Sequence, residues 1–214
     1  MSQNLLIFGD SISTFLGYIP EGYAWYYSDT PCIPSDVQRV EDTWWHRLCA
    51  SCDLTLVRND SWSGSTVGYT GYDGMCYKSC SFITRLRALN EAGFFRDNRI
   101  DQVIVFGATN DSWSDAPIGE YKTEGITEED LYFVRPAIWH FISTLKGILP
   151  QANILFVVNE GLKPEIEDIV RRASEHSGTS YVVLKNIETL NSHPTARGMR
   201  ASTEQLIPHI TNQG

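Results

Sequence analysis

Five short apolar runs set the rhythm of the chain: residues 5–8, 54–57, 103–106, 154–158 and 181–184. Each is too short for a helix and lacks polar alternation, which predicts strands buried on both faces. Helical periods lie between them. Trp44, Trp45 and Leu48 follow Asp42-Thr43, a capping pair. Phe82, Leu86 and Leu89 mark an amphipathic helix that leaves Arg85 and Arg87 to face solvent. Val134, Ile138, Phe141, Ile142 and Leu145 form an apolar stripe reaching Leu149-Pro150. Its main helix is expected to start at Pro136, after a separate acidic turn over residues 127–130. A further helix is expected over residues 164–176, and Pro194 suits the first position of a last one running through Met199 and Leu206. Strands alternating with helices imply a parallel sheet covered on both faces by right-handed crossovers, a three-layer α/β/α arrangement. Without a linker, repeat or low-complexity tract, residues 1–214 read as a single domain.

Two stretches escape this rhythm. Residues 14–35 are punctuated by Gly and Pro and carry Phe15, Tyr18, Tyr23, Trp25, Tyr26 and Tyr27. Irregular segments of this length are commonly functional or packed over the surface. The rings could wall a sugar or acyl group, or hold the loop down as a local cluster; whether the segment acts as a lid stays open. A second loop follows residues 107–111 and is expected to run to about Ile126.

Composition narrows the function classes. With 214 residues and a formal net charge of −9, the chain has length for a real core and little attraction for nucleic acid or anionic membranes. No apolar stretch is long enough to span a bilayer. The opening Met1-Ser2-Gln3-Asn4 lacks the basic start and apolar core of a secretory signal, so a cytoplasmic location is the default expectation. Oligomeric state is not legible. Five cysteines, an odd number, do not suggest a disulfide framework. Cys49 and Cys52 with Cys76 and Cys80 could be written as a four-thiolate zinc site, but the surrounding sequence is unlike a zinc ribbon, and small apolar thiols on a helix end are the better reading of the first pair. No metal or cofactor is expected.

If the sheet is parallel, four polar segments meet at its carboxyl edge, where ligands bind in open α/β sheets: Gly9-Asp10-Ser11, Ser63-Gly64, the segment from Gly107 to Asp111, and the turn holding His193. Acyl transfer needs an alcohol, a base and donors for the developing oxyanion. Ser11 is the alcohol, and His193 the preferred base because it stands in a strand-to-helix loop. His46, His140 and His176 fall within helical patterns and His209 lies near the chain end. The donors would be the Ser11 and Gly64 backbone N–H groups and the Asn110 side-chain amide. Asp10 and Asp111 suit hydrogen bonding within their turns better than catalysis.

These four blocks, in this order, resemble the SGNH or GDSL-type hydrolase superfamily, and they cover residues 9–194. The resemblance implies a flavodoxin-like fold with a five-stranded parallel sheet, Ser11 as nucleophile, Gly64 and Asn110 as oxyanion donors, His193 as base, and cleavage of a small-molecule ester or thioester without cofactor. One position departs from the pattern: the aspartate usual three residues before the histidine is Leu190 here. Glu188 is the nearest upstream carboxylate and could orient His193; Asn186, Asn191 or a backbone carbonyl could do so instead. The leading expectation is a serine esterase acting on an acetylated carbohydrate or other small ester. The alternatives are a non-catalytic carbohydrate-binding protein on the same fold and a thioesterase or lysophospholipase; no basic amphipathic stretch marks a lipid-binding element.

Overall fold

The computed structural model describes residues 2–210. Strands β1 (Gln3–Gly9), β2 (Leu54–Ser61), β3 (Gln102–Phe106), β4 (Asn153–Val158) and β5 (Ser180–Val183) form one parallel sheet in the order β2-β1-β3-β4-β5. Helices α1 (Trp44–Cys52), α2 (Phe82–Glu91), α3 (Phe94–Asp97), α4 (Thr109–Trp113), α5 (Val134–Ile148), α6 (Pro164–Ser177) and α7 (Ala196–Leu206) connect or follow the strands. The expected three-layer, flavodoxin-like arrangement is observed.

Strand alternation divides the core in two. Leu6, Phe8, Val103, Val105, Ile154 and Phe156 face α2, α5 and α6, whereas Leu5, Ile7, Ile104, Phe106, Leu155 and Val157 face α1 and α7. Both sets are buried, so the runs lack polar alternation because each face of the sheet is covered. Burying a side chain of this size contributes roughly 1.5–3 kcal/mol, and the sheet is correspondingly a rigid platform for the loops at its carboxyl edge. Because β1 has β2 on one side and β3 on the other, the chain's winding reverses between β1 and β3, and a crevice opens beyond their ends.

Four boundaries differ from the sequence expectation. β2 continues through Arg58 to Ser61, because Asn59, Asp60 and Ser61 find polar partners while buried. A short helix, α4, begins directly at Thr109. Helix α5 starts at Val134, two residues before Pro136, whose missing N–H falls in the first turn where no intrahelical acceptor exists. Pro194 lies outside α7. Strands β6 (Thr189–Leu190) and β7 (His193–Pro194) pair antiparallel, and α7 starts at Ala196 with the Thr195 hydroxyl accepting from the Gly198 N–H at 3.1 Å. Asn191 and Ser192 both take positive φ (51° and 62°), the backbone of a two-residue hairpin corner.

The five cysteines are free thiols. Cys49 and Cys52 pack against the core from α1. Among the described residues no group of three or more His, Cys, Asp or Glu side chains is placed to hold a metal, and no helix is long and apolar enough to cross a membrane.

Candidate active site

Ser11 follows β1 directly. Asp10 caps a one-turn 3-10 helix, Ser11–Ser13, its Oδ1 accepting from the Ile12 N–H at 3.1 Å. Gly9 allows this sharp exit: a Cβ there would lie 2.5 Å from the Ser13 Cβ, too close for any side chain. The turn projects the Ser11 hydroxyl toward His193, whose Nε2 lies 2.8 Å from Oγ.

The hairpin between β6 and β7 aims that ring. His193 Nδ1 lies 2.9 Å from the Asn191 carbonyl oxygen. A carbonyl can only accept, so Nδ1 carries the proton and Nε2 presents its lone pair to the Ser11 hydroxyl. Tyr26 stacks on the imidazole face with ring centroids 3.5 Å apart and planes within 6°. The Tyr27 hydroxyl donates to the Pro194 carbonyl at 2.9 Å. Burial lowers the His193 pKa, with the Asn191 hydrogen bond opposing it, which keeps the ring neutral at neutral pH.

Glu188 does not touch His193. Its carboxylate accepts from the Thr195 hydroxyl at 2.7 Å and pairs with Arg197 at 2.9 Å. The hairpin explains the difference: it turns the ring toward its own corner, where the Asn191 carbonyl waits. Leu190, opposite His193 across the hairpin, is 46% exposed.

The other two segments converge on the same edge. Gly64 has φ +81° and open space around it. The backbone N–H groups of Ser11 and Gly64 make no hydrogen bond among the described residues. The Asn110 amide is held from two sides: Nδ2 donates to the Ser65 carbonyl at 3.0 Å, and Oδ1 accepts from the Tyr72 hydroxyl at 2.8 Å. The Ser65 carbonyl can only accept, so the amide's orientation is fixed, with a second N–H left over. Asp111 ties the two loops together, accepting from the N–H groups of Val67 (2.9 Å) and Gly68 (3.2 Å). Burial raises its pKa to about 6, against the pull of these donors, and raises that of buried Asp10 to about 7.

Arg85 corrects a sequence expectation. It is 2% exposed rather than solvent-facing. Its position three residues after Phe82 puts it on the inward side of α2, with its guanidinium 4.5 Å from the Phe82 ring centroid. It donates to the Asp60 carbonyl, the Gly9 carbonyl (3.2 Å), the Ser65 hydroxyl (3.1 Å) and the Cys80 carbonyl (3.0 Å), and pairs with the Asp60 carboxylate at 3.3 Å. One side chain thereby joins the end of β1, the end of β2 and the loop after Gly64.

The aromatic loop divides into a packed part and an open part. Tyr26 and Tyr27 are buried beside His193, whereas Tyr23, Trp25 and Trp62 line an open cavity of about 730 Å³. A smaller cavity of about 270 Å³ includes Ile12, Trp113, Ser192 and Pro194 in its walls.

A family model described as GDSL-like lipase/acylhydrolase matches residues 3–210. A solved structure from Bacteroides ovatus, named as a candidate GDSL-like lipase, is 37% identical, with 96% of each chain covered and a TM-score of 0.90. Its counterpart from Bacteroides uniformis is also 37% identical, with 98% of this chain and 95% of that one covered and a TM-score of 0.90. An acetyl xylan esterase from Butyrivibrio proteoclasticus shares the fold at 20% identity and a TM-score of 0.64, covering 97% of this chain and 63% of that one. No curated protein matches the chain.

Proposed function

The chain belongs to the GDSL-like lipase/acylhydrolase family, and from that premise we propose that it hydrolyses small carboxylic esters with a Ser11–His193 pair. The observation that carries the reading is the 2.8 Å approach of His193 Nε2 to Ser11 Oγ, with Nδ1 fixed as the protonated nitrogen. Nε2 takes the hydroxyl proton as Oγ attacks the ester carbonyl. The Asn191 carbonyl orients the ring in place of a carboxylate, while the Tyr26 face holds its plane. The Ser11 and Gly64 N–H groups and the second Asn110 N–H are the donors for the oxyanion. The aspartate usual three residues before the histidine is Leu190 here, and the Asn191 carbonyl supports the catalytic reading by offering His193 Nδ1 an acceptor in its stead. The likeness in fold to an acetyl xylan esterase supports acetylated carbohydrate as the first substrate class to screen.

The reading is tested by treating the protein with a fluorophosphonate and mapping the adduct by mass spectrometry. Covalent modification confined to Ser11, together with hydrolysis of p-nitrophenyl acetate, is expected; absence of both would remove the esterase reading.

Two substitutions probe the assigned roles. Asn110→Ala should lower kcat on the order of a hundredfold, the cost of losing one oxyanion donor. Turnover near that of the wild type would take the amide out of this role. Glu188→Gln should leave kcat within about twofold, since the carboxylate faces Thr195 and Arg197 in an exposed pair of small energetic weight. A large loss in kcat would restore Glu188 as the group that orients His193.

A further inference from the structure

The proton path assigns a side to the leaving group. After Nε2 takes the Ser11 proton, the same nitrogen must deliver it to the departing ester oxygen, so the alcohol portion leaves beside His193. The smaller cavity adjoins this pair: Ile12, Ser192 and Pro194, direct chain neighbours of Ser11 and His193, are in its walls, and so is Trp113, whose ring centroid lies 6.4 Å from that of His193. The larger cavity has no lining residue next to Ser11, His193 or Asn110 in the chain.

The chemistry of the smaller cleft is specific. Trp113 closes α4 and is 43% exposed. The same walls carry groups able to bind hydroxyls. Asn159 is anchored by its Nδ2 donating to the Thr109 hydroxyl at 2.9 Å, which leaves its Oδ1 without a partner among the described residues. Glu160 accepts from the Asn186 N–H through one carboxylate oxygen at 2.5 Å and retains the other. Thr189 and Ser192 add hydroxyls. An aromatic plane with several acceptors suits a sugar ring, which offers C–H groups on one face and hydroxyl donors at its edge. At about 270 Å³ the cleft is small, below the roughly 300–1,000 Å³ typical of pockets for drug-sized ligands, so it suits a single ring.

Charge narrows the class further. Among the described residues that line the cleft Glu160 is the one ionisable side chain, so a phosphate-bearing alcohol or thiol would meet a carboxylate with no cation in those walls. A quaternary ammonium alcohol would find one aromatic ring rather than a cage of them.

We propose that the cleft formed by Trp113, Asn159, Glu160 and the corner before Pro194 is the alcohol subsite, and that it receives the uncharged, hydroxyl-bearing ring of a saccharide ester. This rests on the ester hydrolysis proposed above. In the first step the Ser11 Oγ–acyl bond forms, the ester C–O bond breaks, and the sugar oxygen takes the proton that Nε2 removed from Oγ. Water then adds its oxygen to the acyl carbon and gives one proton to Nε2; the acyl–Oγ bond breaks, Oγ takes that proton back, and the carboxylic acid is released.

The test is equilibrium binding to the full chain carrying Ser11→Ala, so that the ester is not consumed. The probes are methyl 6-O-acetyl-glucopyranoside, acetyl-coenzyme A and acetylcholine, followed by calorimetry or ligand-observed NMR. The sugar acetate is expected to bind best, and adding Trp113→Ala or Glu160→Gln should weaken it by about tenfold or more, the range for losing one specific pocket contact. Tighter binding of the anionic or cationic ester, no binding of the sugar acetate, or sugar binding that neither second substitution alters would overturn the subsite. Fluorophosphonate labelling of the wild type reports separately on hydrolysis, so failure of one reading is distinguishable from failure of the other.

Discussion

Alanine at Ser11 should reduce ester turnover by on the order of 10⁴- to 10⁶-fold, and alanine at His193 by a similar factor. The double substitution should be no slower than either single one, because nucleophile and base act as one unit and either is useless alone. Among the described residues the Ser11 hydroxyl's one hydrogen-bond partner is His193 Nε2, so its removal should leave the fold undisturbed. Initial rates on p-nitrophenyl acetate, with circular dichroism of each variant, make the measurement. Additive losses would mean that the two side chains act independently, and unchanged turnover in Ser11→Ala would place the nucleophile elsewhere.

Much of this constellation was legible in the sequence, and the reason is geometric. A buried parallel strand has few alternatives once both faces are apolar, and the residue after each such run must emerge at the same edge. That logic brought Ser11, Gly64, Asn110 and His193 together before any coordinates. Other contributors left weaker traces. The acceptor on His193 is the backbone carbonyl of Asn191, and every residue has a carbonyl. A backbone carbonyl was among the alternatives the sequence left open, and the corner around Asn191-Ser192 was the local hint to which one, since asparagine tolerates positive φ. Glu188 was the nearest carboxylate along the chain, but proximity in sequence says nothing about which way a hairpin turns its side chains. Arg85 was the larger miss. An arginine on an amphipathic helix reads as solvated, and its partners Asp60 and Gly9 lie 25 and 76 positions away. Its place three residues after Phe82 was the available signal.

Arg85→Ala should cost about 3–5 kcal/mol of stability, the range for breaking a buried ion pair by removing one partner. The loss is large because the guanidinium serves several groups at once. Asp60, fully buried, would keep Arg58 as its remaining ion-pair partner at 2.9 Å. The carbonyls of Gly9, Asp60 and Cys80 and the Ser65 hydroxyl would each lose a donor. Arg85→Lys should recover only part of this, since an ammonium has no planar fork to reach the ends of β1 and β2 together. Urea unfolding followed by tryptophan fluorescence would measure both variants, and a change within about 0.5 kcal/mol for Arg85→Ala, the scale of an ordinary surface substitution, would reduce the side chain to a bystander. A second readout separates stability from positioning. Arg85 fixes Gly9 and Ser65, while the Ser65 carbonyl holds the Asn110 amide. In the folded Arg85→Lys protein, kcat on p-nitrophenyl acetate should therefore fall with little change in KM, because a misplaced oxyanion donor weakens the transition state more than the bound ester.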